Sequence, residues 1–259
     1  MARFSANLGF LWPDRPLLER IDAAARAGFP AIEVHWPYDV PAAAVKAACA
    51  RHGLAMLGLN TIRGDRPGDF GLAAVPGRED EFAASLEQSL GYCRAAGFTA
   101  IHVMAGIVPP GQSVAAAALF ERHVALAADK AAADGLTILL EPLNPRDAPG
   151  YFYASIERAD EIISAVARPN VKIMFDCYHV AIMQGDVLTR LERFMPRIGH
   201  VQIAAVPSRA EPDEGEIAYP AILAALDALG YAGWVGCEYK PRANTDAGLA
   251  WVKKLGIEL

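Results

Sequence analysis

The sequence predicts an α/β fold, a single (β/α)8 TIM barrel spanning residues 1–259, and three observations carry that prediction. One unit recurs along the chain: an Ala-rich segment of helical period, a glycine or proline, then four to six apolar residues. Ala24-Ala-Arg-Ala-Gly28 precedes Ala31-Ile-Glu-Val34, Cys93-Arg-Ala-Ala-Gly97 precedes Ala100-Ile-His-Val103, and Ala131-Ala-Ala-Asp-Gly135 precedes Thr137-Ile-Leu-Leu140. A glycine just past a helix adopts the left-handed cap, and the β-rich run after it is the next strand. About eight such alternations fit in the chain, the number that closes a barrel. No Gly-x-Gly-x-x-Gly turn follows the first apolar run, which argues against a doubly wound open sheet.

In chain order, strands are expected at 4–8, 31–35, 55–60, 100–104, 137–141, 171–176, 199–203 and 234–238. Segments of amphipathic helical period follow each of them, at 14–27, 41–52, 79–96, 113–134, 154–167, 186–195, 218–229 and 245–255. The stretch from Gly64 to Gly77 is too long for a plain connector. Such a loop above a barrel serves as a lid that excludes water or as a subunit contact. No linker or low-complexity segment divides the chain, so one domain is expected.

With 53% hydrophobic and 21% charged residues the chain can bury a large core. A formal net charge of -6 supplies no basic surface for phosphate backbones, so a small molecule is the expected partner and nucleic acid is not. Cys49, Cys93, Cys177 and Cys237 form no CxxC pair, which argues against a thiolate zinc site or a disulfide framework. No run approaches the roughly twenty apolar residues of a membrane span, and the first residues lack a signal peptide's long apolar stretch. A cytoplasmic location is expected, with no membrane partner; a homo-oligomer is compatible with the composition.

Four apolar runs in the second half carry a metal-competent residue at or near their C-terminal ends: Thr137-Ile-Leu-Leu-Glu141, Val171-Lys-Ile-Met-Phe-Asp176, Ile198-Gly-His-Val-Gln202 and Trp234-Val-Gly-Cys-Glu238. In a barrel these are neighbouring strands, so Glu141, Asp176, Gln202 and Glu238 point into one bowl. A lone carboxylate at such an end is more often a helix cap or a solvated loop residue. Three crowded together repel strongly unless a cation is present or protons are retained. The all-oxygen donor set suits Mg2+ or Mn2+ better than zinc.

The segments Arg3-Phe-Ser-Ala-Asn7, Pro76-Gly-Arg-Glu79, Leu140-Glu-Pro-Leu-Asn144, Asp176-Cys-Tyr-His179, Gly199-His-Val-Gln-Ile-Ala204, Gly215-Glu-Ile217 and Gly236-Cys-Glu-Tyr-Lys-Pro241 resemble the hydroxypyruvate isomerase family of xylose-isomerase-like TIM barrels. The resemblance runs nearly end to end. It implies that Glu141 and Glu238 flank the substrate as proton acceptor and donor while touching the metal, and that Asp176 and Gln202 complete the ligand set. Related sugar epimerases usually carry histidine where this chain has Gln202. The implied reaction interconverts hydroxypyruvate and tartronate semialdehyde through an enediolate, with a 2-oxo-tetronate as the alternative hydroxy-oxo acid substrate. Two carboxylates on opposite sides of adjacent carbons suit that proton transfer, and a metal stabilises the developing oxyanion.

A substrate with its own carboxylate needs cationic groups, and His179, Arg209 and Lys240 lie on the relevant loops. Arg209 offers a bidentate fork; His179 and Arg209 occupy spacings that bind substrate oxygens in the resembling isomerases; Lys240 suits a solvated surface role equally. Asn7, Glu33, His35, Asn60 and His102 line the bowl or support it, and Arg63 and Arg78 reach the substrate if the 64–77 stretch folds over. His200, two residues before Gln202, shares its orientation by strand alternation. A phosphodiester-cleaving barrel needs several zinc-binding histidines and a basic face, which this chain lacks; a non-catalytic sugar-binding barrel is disfavoured by the two glutamates.

Overall fold

Apolar runs that are covered on both faces form parallel strands, and here they form a nearly closed barrel. The computed structural model describes residues 2–259. Its strands are β1 (Arg3–Asn7), β2 (Ala31–Glu33), β3 (Ala55–Met56), β4 (Gly58–Asn60), β5 (Ala100–His102), β6 (Thr137–Leu140), β7 (Val171–Asp176), β8 (Ile198–Ile203) and β9 (Trp234–Cys237). The sheet order β3-β2-β1-β9-β8-β7-β6-β5-β4 is parallel throughout. β3 and β4 are halves of one stave broken at Leu57, whose N–H donates to Ile32 O at 2.9 Å while its carbonyl accepts from Ala100 N at 2.9 Å. That stave closes the ring, and all eight expected strands are found.

The outer helices are α1 (Leu17–Arg26), α2 (Ala42–His52), α3 (Glu79–Ala96), α4 (Ser113–Ala132), α5 (Ile156–Val166), α6 (Cys177–Met183), α7 (Val187–Phe194), α8 (Tyr219–Ala228), α9 (Thr245–Gly248) and α10 (Ala250–Lys254). Gly97 caps α3 with φ 105°, as the helix-glycine-strand unit requires. Two features depart from expectation. The last helix is broken into α9 and α10 at Leu249, and α6 begins without a break where β7 ends.

Strand alternation separates two cores. Phe4, Ala6, Val201, Ile203, Val235 and Cys237 belong to the apolar core beneath the helices. Residues of the opposite parity, Ser5, Asn7, His200 and Gln202, are buried polar groups of the barrel interior. His200 and Gln202 do share an orientation: Glu33 Oε2 lies 2.8 Å from His200 Nε2 and accepts from Gln202 Nε2 at 3.3 Å. The four cysteines are free and buried.

The 64–77 stretch packs against the end of β5. Gly71 bridges Ala105, and Ala74 N donates to Ala105 O at 2.7 Å. At Gly71 φ is 119° and a Cβ would meet Met104 O at 2.5 Å, so glycine is required for this approach. Arg78 does not reach the bowl. It is buried and binds Asp69 at 2.8 Å, Asp65 at 3.1 Å and Glu81, pinning the stretch from within.

Candidate active site

Each site residue sits where a strand hands the chain to its loop. Glu141 directly follows β6, Asp176 ends β7, and Glu238 directly follows β9. Gln202 is the fifth residue of β8 and pairs in register with Asp176, so the two are level. A cavity of about 350 Å³ opens over these ends, with His35, His102, Glu141, His179, Arg209 and Glu238 on its floor and sides.

Asp176 plays both parts that a strand-end carboxylate can take. Its Oδ1 accepts from Tyr178 N at 2.9 Å and caps α6, while Oδ2 is buried without a hydrogen-bond partner. The short helix this starts carries His179 back over the bowl, with Nε2 3.5 Å from Asp176 Oδ2 and 3.7 Å from Glu141 Oε1. The Asn144 N–H donates to His179 Nδ1 at 3.0 Å. In the neutral ring the proton is therefore on Nε2, which presents a donor to the bowl. Burial first, then Arg209, pushes the His179 pKa down to about 3, so the ring is neutral at ordinary pH.

Glu141, Asp176 and His179 form a buried group with one candidate ligand atom each, all within 4.8 Å of one another. Glu141 Oε1, Asp176 Oδ2 and Gln202 Oε1 are buried without hydrogen-bond partners. Orphaned oxygens of this kind need explanation, and a cation is the simplest. Gln202 is anchored by Glu33 through its amide nitrogen, which leaves Oε1 unused. The oxygens present fit a hard divalent ion, whereas the protonated Nε2 of His179 does not serve as a ligand.

The two glutamates have contrasting surroundings. Glu238 has donors on both oxygens: Oε1 takes Asn7 Nδ2 at 3.0 Å and His35 Nε2 at 2.9 Å, and Oε2 takes Arg209 Nη2 at 2.9 Å. Burial alone pushes its pKa up, but the hydrogen bond from His35 and the charge of Arg209 hold it down, to about 2. Glu141 is pushed well above the usual carboxylate range by burial, then by Glu238 and Asp176. Two carboxyls whose environments drive their pKa values apart are suited to opposite roles in proton transfer.

Arg209 lies over this pair with φ 55°, a left-handed backbone that costs a non-glycine residue about 1 kcal/mol or more. It binds Glu238 and Asp147 (3.2 Å) and lies 3.8 Å from Asp176. Lys240 stands exposed at the rim with Nζ 5.8 Å from the Phe10 ring centroid. Of the wall residues, His35 and Asn7 contact Glu238 directly, and His102 Nδ1 lies 3.4 Å from Glu141 Oε2. Asp147 and the main chain of Asn144 had no sequence signal of their own, although Asn144 closes the Leu140-Glu-Pro-Leu-Asn144 motif.

A parallel barrel with a buried group of side chains at the C-terminal ends of its strands that could hold a metal ion, beneath an open cavity, defines the class: a TIM-barrel protein with its pocket at the strand ends. The chain belongs to the xylose isomerase-like TIM barrel family, whose model matches residues 21–255. It is 45% identical over 255 residues to the 2-oxo-tetronate isomerase of Cupriavidus necator, covering 98% of each chain. It is 36% identical to the hydroxypyruvate isomerase of Escherichia coli, covering 97% of this chain and 98% of that one. A Brucella melitensis structure titled AP endonuclease, family 2, superposes with a TM-score of 0.95 at 42% identity, covering 98% and 99%. No helix among the described residues is long and apolar enough to cross a membrane.

Proposed function

We propose that this protein isomerises short hydroxy-oxo acids by moving a proton between adjacent carbons through an enediolate. The observation that carries the reading is the contrast between Glu238, held ionised by three donors, and Glu141, buried with an unpaired oxygen. In the reverse of the order that the family resemblance implies, Glu238 takes the proton from the hydroxyl-bearing carbon and Glu141 returns one to the neighbouring carbonyl carbon, while the proton of the reacting hydroxyl passes to the former carbonyl oxygen. The Nε2–H of His179 and the guanidinium of Arg209 donate to substrate oxygens, and Lys240 adds positive charge at the rim. Glu141, Asp176, Gln202 and Glu238 would hold Mg2+ or Mn2+, which would supply positive charge to offset the crowded carboxylates and the charge that develops on substrate oxygen. One domain, residues 1–259, carries the whole site.

Hydroxypyruvate and the one-carbon-longer 2-oxo-tetronate both satisfy this chemistry. Hydroxypyruvate is the first reading and the longer acid the alternative; identities of 45% to the Cupriavidus necator 2-oxo-tetronate isomerase and 43% to a putative hydroxypyruvate isomerase of Mus musculus support the two alike. DNA cleavage, the class named for the Brucella melitensis structure, fits poorly with a net charge of -6. The deciding experiment supplies hydroxypyruvate, 2-oxo-tetronate and a ketohexose to the purified protein, with and without Mg2+ or Mn2+. Isomerisation of either acid supports the proposal; turnover of the ketohexose alone rejects it.

A further inference from the structure

The bowl holds three cationic side chains, Arg63, Arg209 and Lys240, and they are not equivalent. Arg209 is already committed to the protein's own carboxylates, Glu238 and Asp147, with Asp176 close by. An incoming acid brings another negative charge into a site crowded with carboxylates. The group that receives it must be a cation without a carboxylate of its own.

Arg63 meets that condition. Among the described residues it makes no ion pair, and its contacts are aromatic: the guanidinium carbon lies 4.2 Å from the Phe70 ring centroid and 5.5 Å from that of Trp36. A guanidinium stacked by its face keeps its N–H groups free along the edge, where they match a carboxylate in a bidentate fork. The aromatic support is itself held. Trp36 Nε1 donates to Thr61 O at 3.0 Å, Phe70 packs edge-on against Tyr151 with centroids 6.0 Å apart, and the Tyr151 hydroxyl accepts from Ala105 N at 2.8 Å. The loop that carries Phe70 is pinned by the Gly71–Ala105 bridge and by Arg78. Lys240 has only a distant ring contact and a flexible stem, so it lacks this orientation.

We propose that Arg63 is the specificity residue that recognises the substrate's carboxylate and separates hydroxy-oxo acids from neutral sugars. The inference rests on the proposed acid-isomerase reading. It also explains why the 64–77 stretch is pinned: it presents Phe70 as the platform for Arg63.

The test uses the full-length, Mn2+-loaded protein and its Arg63→Gln and Arg63→Lys variants. Steady-state kinetics on both acids are combined with calorimetric binding of tartronate, a hydroxy-diacid without a carbonyl to isomerise. Arg63→Gln is expected to raise KM and the tartronate Kd by about 10- to 100-fold with kcat changed less than about threefold, the size of a lost charge-assisted hydrogen bond. Arg63→Lys recovers part of that loss. Because Arg63 is exposed, unchanged circular dichroism and Tm are expected in both variants. The proposal is overturned if Arg63→Gln leaves KM and the tartronate Kd within about twofold of the parent, or if the loss falls on kcat alone. If the parent turns over neither acid, the acid-isomerase reading fails while tartronate binding still tests Arg63; a parent that also fails to bind tartronate overturns both.

Discussion

Arg209 donates from Nη2 to Glu238 Oε2 at 2.9 Å, joining the loop after β8 to the residue that follows β9. With His35 on the other oxygen, this contact keeps Glu238 ionised against the pull of burial. Arg209→Met removes the charge and lets the Glu238 pKa rise. A base must be deprotonated to act, so the acidic limb of the kcat/KM profile is expected to move to higher pH, with kcat lower by about 10²- to 10³-fold. An acidic limb that stays in place would show that Arg209 does not tune Glu238.

Removing either carboxyl while keeping its shape separates proton transfer from folding. Glu141→Gln and Glu238→Gln are each expected to lower turnover by about 10²- to 10⁴-fold with unchanged circular dichroism. Near-normal turnover in either variant would refute the two-glutamate mechanism.

The unpartnered oxygens of Glu141, Asp176 and Gln202 predict that a divalent cation stabilises the fold. At a metal concentration about 100 times Kd the gain is about 2.7 kcal/mol, or about 5–10 °C in Tm for a chain of this size. Differential scanning with Mn2+, Mg2+ and EDTA measures it, and Asp176→Asn should abolish most of the shift. Because ligand carboxylates must be deprotonated to bind, the apparent affinity should increase with pH.

The barrel was legible because strands covered on both faces leave apolar runs, and because a glycine such as Gly97 or a proline such as Pro169 marks the helix-to-strand passages. The strand-end residues followed from those runs. The helix Cys177–Met183 was not legible, since its apolar residues continue directly from β7 with no breaker between them. Contacts contributed by loops were equally hidden. The contacts of Arg209 with Glu238 and Asp147, made from a loop position with φ 55°, left no trace in the sequence. Arg78 resembled a second substrate cation in the sequence, and only the folded loop shows it enclosed by Asp65, Asp69 and Glu81.

Gly236 tests the polar layer beneath the bowl. A Cβ there would lie 2.0 Å from Glu33 Oε1, 2.9 Å from His200 Nε2 and 3.0 Å from Gln202 Cγ. Gly236→Ala must displace the Glu33–His200 pair and, with it, the anchor of Gln202. The expected cost is about 1–3 kcal/mol, read as a Tm lower by about 3–10 °C, together with weaker Mn2+ binding by calorimetry. A loss of stability with unaltered metal affinity would detach Gln202 from the metal site.

His123 links folding to pH at a distance from the chemistry. Its ring stacks on Phe82, with centroids 4.3 Å apart and planes at 18°, and Nδ1 lies 2.8 Å from Ala73 O at the base of the pinned loop. Burial pushes its pKa below the usual histidine value, a direction that the bond to Ala73 and the charge of Glu79 oppose only in part. The unfolded chain therefore binds a proton at His123 before the folded chain does. Wherever the unfolded state holds more protons, stability rises with pH. The contribution of His123 is thus fully present above a pH of about 6.5 and is lost as the pH falls from there through the lowered folded pKa. Urea unfolding at several pH values between about 7.5 and 5 should show this slope in the parent, and His123→Gln should flatten it. An unchanged slope in the variant would place the acid sensitivity in other groups.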